Sequence, residues 1–275
     1  MENAAAFEGL RYSIFDPTGN VTALVETPVA VSAQPAAAAA IMRRCPAVEQ
    51  VGFVRLFPAG EQGIDAALRM AGGEFCGNAS MSTAALLLLR RGEQTTEEKT
   101  VRLRVSGAAE PVEVRLRREG ADSYRAGVRI PRAKAIAGQA FAFGELRGSL
   151  PLVRMEGISH LVITPDSCFF PLKDRPAQAE KAVRLWCGAL RADGLGLMFL
   201  EEDALTPLVY VPGSGTVFWE NSCASGSAAV GMALAAGRGE ALRLTLREPG
   251  GALAVESDPD GRTWLWGRTR LVEEQ

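Results

Sequence analysis

Histidine is nearly absent from this sequence of 275 residues, and cysteine pairs with metal-binding spacing are missing. His160 is the single histidine, so mechanisms and zinc sites that need two or more histidines are excluded. The five cysteines are odd in number and show no C-x-x-C spacing. A disulfide-stabilised scaffold would be shorter and denser in cysteine. We therefore expect free thiols in a reducing compartment and no bound metal.

The sequence also lacks an excess of either charge and any long hydrophobic run. Lys and Arg number 30 and Asp and Glu number 32, whereas a dedicated nucleic-acid binder normally shows a basic excess. The sequence contains no long block of like charges, so its composition does not indicate a disordered chain. The longest apolar run, residues 84–89, is far shorter than the roughly 20 residues of a membrane span. Residues 1–10 lack the features of a signal peptide, which favours a cytoplasmic protein with no membrane partner.

Motifs of several large enzyme classes are missing as well. The sequence contains no G-x-x-x-x-G-K-[ST] phosphate-binding loop and no G-x-S-x-G nucleophile turn. Nothing in it requires pyridoxal phosphate. These absences count against P-loop nucleotide enzymes and against serine hydrolases of the G-x-S-x-G type.

Two periodicities predict the secondary structure. Apolar and polar residues alternate, as in half-buried strands, over 101–105, 112–116, 242–246, 253–255 and 263–272. Helical spacing or small, apolar composition predicts helices over 36–44, 79–89, 177–190 and 225–236. The helices over 79–89 and 225–236 contain so few charged residues that we expect them to be buried on most sides.

The same order of segments occurs twice. In each half, an apolar segment (49–54 or 194–199) is followed by a turn with a cysteine, a small-residue helix and two alternating strands. The two cysteines, Cys76 and Cys223, are separated by about half the chain. We interpret this as a duplicated α+β unit with halves over 1–133 and 139–266 and a linker near 134–138.

Each of these cysteines directly precedes a predicted buried helix. The first turn of a helix has unpaired N–H groups and the positive end of the helix dipole. It can hold a carboxylate, and it can lower the pKa of a thiol. If the two halves face each other, one thiolate can remove a proton from one face of a carbon while the other thiol delivers a proton to the opposite face. Such a pair would invert the α-carbon of an amino acid. For Cys45, Cys168 and Cys187, we expect small buried hydrophobic side chains instead.

At these residues the sequence resembles the diaminopimelate epimerase-like family of cofactor-independent racemases and epimerases. The resemblance spans nearly the whole chain and includes the segments P-T-G-N (17–20), E-Q-V-G-F (49–53), C-G-N (76–78) and the second cysteine turn. The histidine racemases of staphylopine-type metallophore biosynthesis are similar in particular, with P-x-G-N, EQVGF, EFCGNA and WENSC segments. The family fold implies two pseudo-symmetric α+β halves, each with strands around a central helix, and an active site in the cleft between them. It leaves room for a C-terminal strand (267–275) to pack on the first half.

The resemblance also implies roles for particular residues. It makes Cys76 and Cys223 the acid/base pair and needs no cofactor. It places the substrate cleft at Asn20, Gln50, Gly77, Asn78, Ala224, Ser225 and Gly226, where the backbone of 77–78 and 224–226 holds the α-carboxylate. A small-molecule amino-acid substrate is the expected partner, and the family often forms homodimers.

The sequence departs from diaminopimelate epimerases where those enzymes bind the distal end of their substrate. Their G-N-P-H segment corresponds to 157–160, where Ile158 replaces the asparagine, and the arginine of their E-R-G segment is absent before Cys223. A distal carboxylate would be left without partners, which is costly. Glu49 or Glu220 is a candidate contact for a polar or cationic side chain such as imidazole, although both could be solvated or structural. His160 is expected to be structural.

The best interpretation is thus an amino-acid racemase acting on histidine for opine-metallophore biosynthesis. Diaminopimelate epimerase and another amino-acid racemase are alternatives with the same chemistry. Phenazine-biosynthesis-type isomerases usually have an acidic catalytic base, and proline racemases usually carry C-G-H where residue 78 is Asn. A non-catalytic amino-acid-binding module is the alternative of a different class.

Overall fold

The computed structural model describes residues 9–58, 63–93, 96–213 and 215–275. Residues 1–8, part of the segment interpreted as lacking a signal peptide, lie outside the described residues. The structure is mixed and dominated by strands. Its described α-helices are α1 (Gln34–Arg44), α2 (Gly77–Arg90), α3 (Pro176–Leu190) and α4 (Ala224–Arg238). Its described strands are β1 (Tyr12–Pro17), β2 (Thr22–Val25), β3 (Gln50–Leu56), β4 (Ala66–Met70), β5 (Lys99–Val105), β6 (Val112–Arg118), β7 (Ser123–Ile130), β8 (Ala135–Phe143), β9 (Leu146–Arg154), β10 (Ser159–Ile163), β11 (Leu195–Glu201), β12 (Ala204–Val211), β13 (Thr216–Trp219), β14 (Leu242–Glu248), β15 (Gly251–Ser257) and β16 (Thr263–Glu274).

The predicted elements are present. The alternating segments form β5, β6, β14, β15 and β16, and the four predicted helices are α1 to α4. Helices α2 and α4 are buried along most of their length, as their composition predicts. Periodicity was sufficient here because each element has one clear apolar face or is apolar all round.

The chain divides into two compact units, residues 1–128 with 266–275 and residues 129–265. It passes from one to the other within β7 and again within β16. Most of the segment 134–138, which we expected to be a linker, lies in β8, which begins at Ala135. Residues 135–143 pair antiparallel with β9 along their whole length, so backbone hydrogen bonds order a segment whose small side chains gave a weak pattern.

In the first unit, strands β1 to β7 are neighbours in chain order. Strand β2 is antiparallel to β1 and parallel to β3, β3 and β4 are antiparallel, β4 and β5 are parallel, and β5 and β6 are antiparallel. The C-terminal strand β16 runs antiparallel to β1, with Phe15 opposite Leu271. Helix α2 contacts each strand from β1 to β6, and its Ser82 hydroxyl lies 2.8 Å from that of Thr269 in β16.

The second unit repeats this sequence of pairings. Antiparallel β9 and β10, parallel β10 and β11, antiparallel β11 and β12, parallel β12 and β14, and antiparallel β14 and β15 follow in the same order. Helix α3 joins the parallel pair β10 and β11 as α1 joins β2 and β3, and α4 precedes β14 as α2 precedes β5. Strand β13 is an addition that pairs with β12. The duplication inferred from four sequence segments therefore extends to the strand pairing within each unit.

The cysteines outside the two helix turns differ from expectation in one respect. Cys187 is buried, as predicted, but Cys45 is half-buried and Cys168 is exposed. Cys168 follows a tight turn at Thr164–Ser167, and its thiol donates to the backbone carbonyl of Arg147 at 3.3 Å. All five cysteines are free thiols. Within the described ranges, no helix combines the length and apolar character of a membrane span.

Candidate active site

Cys76 is the N-cap residue of α2. Its backbone is extended (φ −131°, ψ 112°), and its sulfur accepts a hydrogen bond from the backbone N–H of Ala79 at 3.3 Å. Its carbonyl accepts the first helical hydrogen bond, from Ser80 N, and also bonds the Ser80 hydroxyl at 2.7 Å. The side chain is half-buried. A thiol that receives a helix N–H in this way is stabilised in its anionic form.

The loop after β5 packs against the turn that contains Cys76. The Ser106 hydroxyl accepts a hydrogen bond from Met70 N and donates to the carbonyl of Glu74 at 2.8 Å. Gly107 (φ +69°) follows, and a Cβ atom there would lie 2.2 Å from the backbone nitrogen of Phe75. Only glycine allows this backbone conformation together with so close an approach. The position of Cys76 is therefore set by a contact with a loop 31 residues further along the chain.

Three of the predicted substrate-binding residues form one network beside α2. The amide of Asn78 donates to Asn20 at 3.5 Å, and the amide of Asn20 donates to a Glu49 carboxylate oxygen at 2.9 Å. Asn20 and Asn78 are buried, at 2% and 1% exposure, and Glu49 is half-buried. Gly77 and Asn78 are the first two residues of α2. Gln50, half-buried, begins β3 directly after Glu49.

Cys223 is the N-cap residue of α4, at the equivalent place in the second unit. It is buried, with 5% exposure, and Ala224, Ser225 and Gly226 form the buried first turn after it. A Cβ atom on Gly226 would lie 2.1 Å from Met198 Sδ and 3.0 Å from Cys223 Sγ. Any larger side chain here would need the end of the Met198 side chain to move, because Met198 fills the space beside the thiol.

A buried carboxylate closes this turn. Glu248, the last residue of β14, accepts the backbone N–H of Cys223 at 2.6 Å and the hydroxyl of Ser227. Glu248 is 7% exposed, and burial raises its pKa to about 8, against the lowering effect of these two donors. In its ionised form, this carboxylate near an N-terminal helix turn interacts favourably with the helix dipole.

The environment of the Cys223 thiol is unlike the one we expected. Burial is the largest effect and raises its pKa well above the usual value, and Glu220 and Glu248 raise it further. Glu220 also forms a hydrogen bond with the thiol, whereas the Gly226 amide acts in the opposite direction without outweighing the others. The expectation that the helix N-terminus lowers the thiol pKa is thus wrong for Cys223. Desolvation and two carboxylates exceed the field of one helix end.

His160 lies under the same turn. Its Nε2 is 3.0 Å from the Ser225 hydroxyl, which in turn lies 3.8 Å from Cys223 Sγ. The ring is completely buried, and burial lowers its pKa to about 3. Its Nδ1 has no hydrogen-bond partner among the described residues. A neutral, inward-facing imidazole agrees with the structural role predicted for it.

The structure therefore forms two groups of candidate residues, one in each unit. Asn20, Glu49, Gln50, Gly77 and Asn78 surround the N-terminus of α2 with Cys76, and Glu220 and Ala224–Gly226 surround the N-terminus of α4 with Cys223. Glu248 belongs to the second group and was missed in the sequence. A signal for it exists, because the alternation L-R-L-T-L-R-E over 242–248 places Glu248 on the side of the three leucines. Among the described residues, no cluster of three or more His, Cys, Asp or Glu side chains could hold a metal ion.

The fold is shared with solved racemase and epimerase structures. A predicted epimerase from Pseudomonas aeruginosa superposes with a TM-score of 0.67 at 16% identity, covering 97% of this chain and 98% of that one. A hydroxyproline epimerase from Agrobacterium vitis gives a TM-score of 0.63 at 15% identity, over 97% and 91% of the two chains. At such low identity these similarities define the fold class alone: the duplicated fold of racemases, epimerases and related isomerases.

Sequence relatives narrow this class to a family. The model of the histidine racemase CntK N-terminal domain matches residues 9–264. A histidine racemase from Fusobacterium nucleatum is 32% identical over 228 residues, 80% of this chain and 79% of that protein. One from Staphylococcus aureus is 27% identical over 256 residues, 90% and 88% of the two chains. The chain belongs to the histidine racemase family, and it is an isomerase of the racemase and epimerase class.

Proposed function

We propose that this enzyme is a cofactor-independent amino-acid racemase in which Cys76 and Cys223 are the acid and the base. One observation carries the proposal. In each unit, a cysteine caps the N-terminus of the buried helix that connects the same two strands of a repeated pairing pattern. Isolated cysteines have no reason to occur twice at equivalent helix ends, whereas a two-base reaction needs one thiol for each face of the substrate.

The proposed reaction moves one proton on and one proton off the α-carbon. The Cys76 thiolate takes the α-proton, and the Cys223 thiol gives its proton to the opposite face, which leaves Cys76 as the thiol and Cys223 as the thiolate. The reverse direction exchanges these roles, so both enantiomers are substrates. Each positioned acid or base contributes roughly 10²–10⁴ to the rate.

The α-carboxylate of the substrate would be held by the first-turn N–H groups of the two helices. In α2 these belong to Gly77 and Asn78, and in α4 to Ala224, Ser225 and Gly226. Their dipoles point at the charge that develops on the carboxylate as the α-proton leaves, which is the preorganised stabilisation that lowers the barrier. The active-site cleft of a diaminopimelate epimerase-like architecture is part of this proposal. The buried position of α2 and α4 among the strands of their own units supports it.

Histidine is the substrate we propose. Membership of the histidine racemase family supports it, and so does the absence of the asparagine and arginine that would bind the distal end of diaminopimelate. Of the two candidate carboxylates, Glu220 is engaged with the Cys223 thiol. Glu49 is held by Asn20 beside α2, where a carboxylate can accept an imidazole N–H. We assign the side-chain contact to Glu49.

The biological role that we propose also rests on membership of the histidine racemase family. We propose that the D-histidine product serves opine-metallophore biosynthesis, and that the enzyme works as a homodimer in the cytoplasm on a free amino acid. Light scattering of the purified protein gives the oligomeric state directly. A strictly monomeric mass would contradict the dimer without affecting the proposed chemistry.

The decisive experiment follows α-proton exchange in deuterated water. Reduced protein is incubated without added cofactor with L-histidine, D-histidine, L-alanine and meso-diaminopimelate, and deuterium uptake and chirality are measured together. We expect exchange with racemisation of both histidine enantiomers. Cys76→Ser and Cys223→Ser should each lower the rate at least about 100-fold, whereas Cys168→Ser, at an exposed thiol, should leave it unchanged.

Each other result has a definite meaning. Racemisation of a different amino acid would retain the two-thiol mechanism and overturn histidine as substrate. Full activity in either active-site cysteine variant would overturn the mechanism. Binding of histidine without exchange would favour the binding-module alternative, and isomerisation without chirality change would favour an isomerase of the phenazine type.

The assignment of Glu49 has its own test. Glu49→Gln keeps the size of the side chain and its ability to accept from Asn20 but removes the charge. We expect KM for histidine to rise at least about tenfold, while thermal stability changes little. Glu110→Gln, at an exposed position on the same unit, is the matched control. An unchanged KM in Glu49→Gln would overturn the assignment.

A further inference from the structure

Glu248 is a buried carboxylate that the proposed reaction does not use directly. It ends β14, a strand whose neighbouring inward positions are leucines. One carboxylate oxygen accepts the N–H of Cys223 at 2.6 Å, and the other accepts the hydroxyl of Ser227. The two bonds join residues on both ends of the first turn of α4 to a single side chain. A carboxylate at an apolar position needs such donors, because an unpaired buried charge is costly.

The carboxylate of Glu248 also lies near the Cys223 thiol, which must carry a proton if it is to act as the acid. Two carboxylates face the Cys223 thiol: Glu220, from the loop after β13, and Glu248, from β14. The thiol also contacts Ser225 of its own helix. The Ser225 hydroxyl in turn bonds His160 of β10, whose ring is neutral. Burial raises the pKa of both acids, that of Glu248 to about 8 and that of the Cys223 thiol well above its usual value. The carboxyl group therefore loses its proton first, and its charge then opposes loss of the proton on sulfur.

The first unit has a different arrangement at the equivalent thiol. There the Ala79 N–H points at Cys76 Sγ, and a hydrogen bond to sulfur favours the anion. The backbone N–H of Gly226 acts on Cys223 Sγ in the same direction, but burial and the carboxylates of Glu220 and Glu248 outweigh it. The backbone N–H of Cys223 itself donates to the Glu248 carboxylate. The two N-terminal turns thus share a backbone geometry, but the Cys223 thiol is buried beside two carboxylates, whereas the Cys76 thiol is half-buried.

We propose that Glu248 is the positioning residue of Cys223: it clamps the N-terminal turn of α4 and, in its ionised form, keeps the proton on the Cys223 sulfur. This rests on the proposed two-cysteine function, since it assigns Cys223 the role of the initial acid and Cys76 that of the initial base. A two-base enzyme works only if its free form carries one proton on the pair. Glu248 adds to burial and to Glu220 in making Cys223 the thiol that carries it.

The test measures the protonation of Cys223 without any substrate. The rate of alkylation by iodoacetamide is followed for each cysteine by peptide mass spectrometry between pH 6 and pH 10.5, in wild type and in Glu248→Gln. Glutamine preserves volume and can still accept the Cys223 N–H. We expect the midpoint of Cys223 alkylation to move down by at least about one pH unit, about a tenfold faster reaction at pH 9. The midpoint of Cys76 should not move.

Two controls separate positioning from mere structure. Glu256→Gln, at an exposed carboxylate of the adjacent β15 that pairs with Arg243, removes a charge from the same sheet without touching the turn. It should leave the Cys223 midpoint in place. In the racemase assay, Glu248→Gln should also move the alkaline limb of the pH–rate profile to lower pH. A structural role alone would lower the melting temperature without moving either pH value.

The proposal has clear failing outcomes. An unchanged Cys223 midpoint in folded Glu248→Gln overturns it, as does an equal shift in Glu256→Gln. If Glu248→Gln does not fold, the wild-type protein can still contradict the proposal. The Cys223 midpoint must lie above that of the exposed Cys168 in the same molecule, and a midpoint at or below it overturns the proposal. Because alkylation needs no substrate, absence of racemisation with a shifted midpoint would count against the proposed function and not against the role of Glu248.

Discussion

His160 Nε2 lies 3.0 Å from the hydroxyl of Ser225, the second residue of α4. The second residue of α2, Asn78, has the equivalent relationship with Asn20, just before β2. In both units, the helix residue two positions after the cysteine thus bonds to the segment that forms the parallel pair. The side chains differ between the units, but the function of the contact is the same. It fixes the cysteine turn against the sheet.

The buried imidazole makes stability depend on pH. The pKa of His160 is about 3 in the folded protein and about 6.5 when it is exposed, so the unfolded chain binds the proton more tightly. The free energy of unfolding should therefore fall as the pH drops from 6.5 towards 4, by up to about 1.4 kcal/mol per pH unit. Chemical denaturation of wild type and His160→Gln over this range checks the effect. We expect a smaller slope in the variant, and parallel curves would contradict a neutral buried His160.

Glu248 should have the opposite pH dependence. Its folded pKa of about 8 lies above its ordinary value, so the folded state binds the proton more tightly. Its contribution to stability is complete below about pH 4.5 and is lost as the pH rises to 8. Glu248→Gln should therefore gain stability relative to wild type between pH 5 and pH 8, by up to about 1.4 kcal/mol per unit. Urea denaturation at pH 5 and pH 8 measures this, with Glu256→Gln as the control that should show no such change.

Gly107 should be more sensitive to substitution than its backbone conformation alone requires. Gly107→Ala adds a Cβ atom 2.2 Å from Phe75 N, next to Cys76. The matched control is Gly92→Ala, where φ is a similar +65° and, among the described residues other than its chain neighbours, no atom lies within 4 Å of the added Cβ. We expect Gly92→Ala to cost about 1 kcal/mol through strain and Gly107→Ala about 3 kcal/mol or more. Only Gly107→Ala should lower activity. Equal costs, measured by denaturation, would show that the loop moves freely away from the turn.

Gly226 provides a test of packing at the second thiol. In Gly226→Ala the added Cβ would overlap Met198 and touch the thiol of Cys223. We expect a loss of about 1–3 kcal/mol and a larger loss of kcat than of substrate affinity. The double variant Gly226→Ala with Met198→Ala removes the overlapping side chain and should regain part of the stability. If Met198→Ala only lowers the stability further, through the cavity that it creates, then overlap with Met198 does not cause the loss in Gly226→Ala.

Local patterns were enough to predict much of the fold. Alternation over 101–105 and 112–116 predicts β5 and β6 because each strand has one buried face, and small-residue composition predicts α2 and α4 because no polar face is needed. Sequence position alone also placed Cys76 and Cys223 at helix N-termini. The segment 134–138 was misjudged because its alanine and glycine side chains say little, while the partner strand β9 decides that it is a strand.

The electrostatic state of the thiols could not be predicted in this way. A helix N-terminus suggests a low thiol pKa, and the first turn of α4 looks no different from that of α2 in this respect. The outcome at Cys223 depends on Glu248, which is 25 residues away in sequence. Its inward position follows the alternation of β14, but its partner is set by where that strand ends beside α4.

The sequence by itself determined the elements, their repetition and the two cysteine turns, because periodicity and helix capping are properties of residues close together in the chain. The tertiary structure alone decided the environment of each turn. Burial, the approach of Gly107 to Phe75, the bond of His160 to Ser225 and the carboxylate beside Cys223 all join residues far apart in sequence. Desolvation and electrostatic interaction depend on distances in space, so two cysteine turns that look alike in sequence place their thiols in different environments.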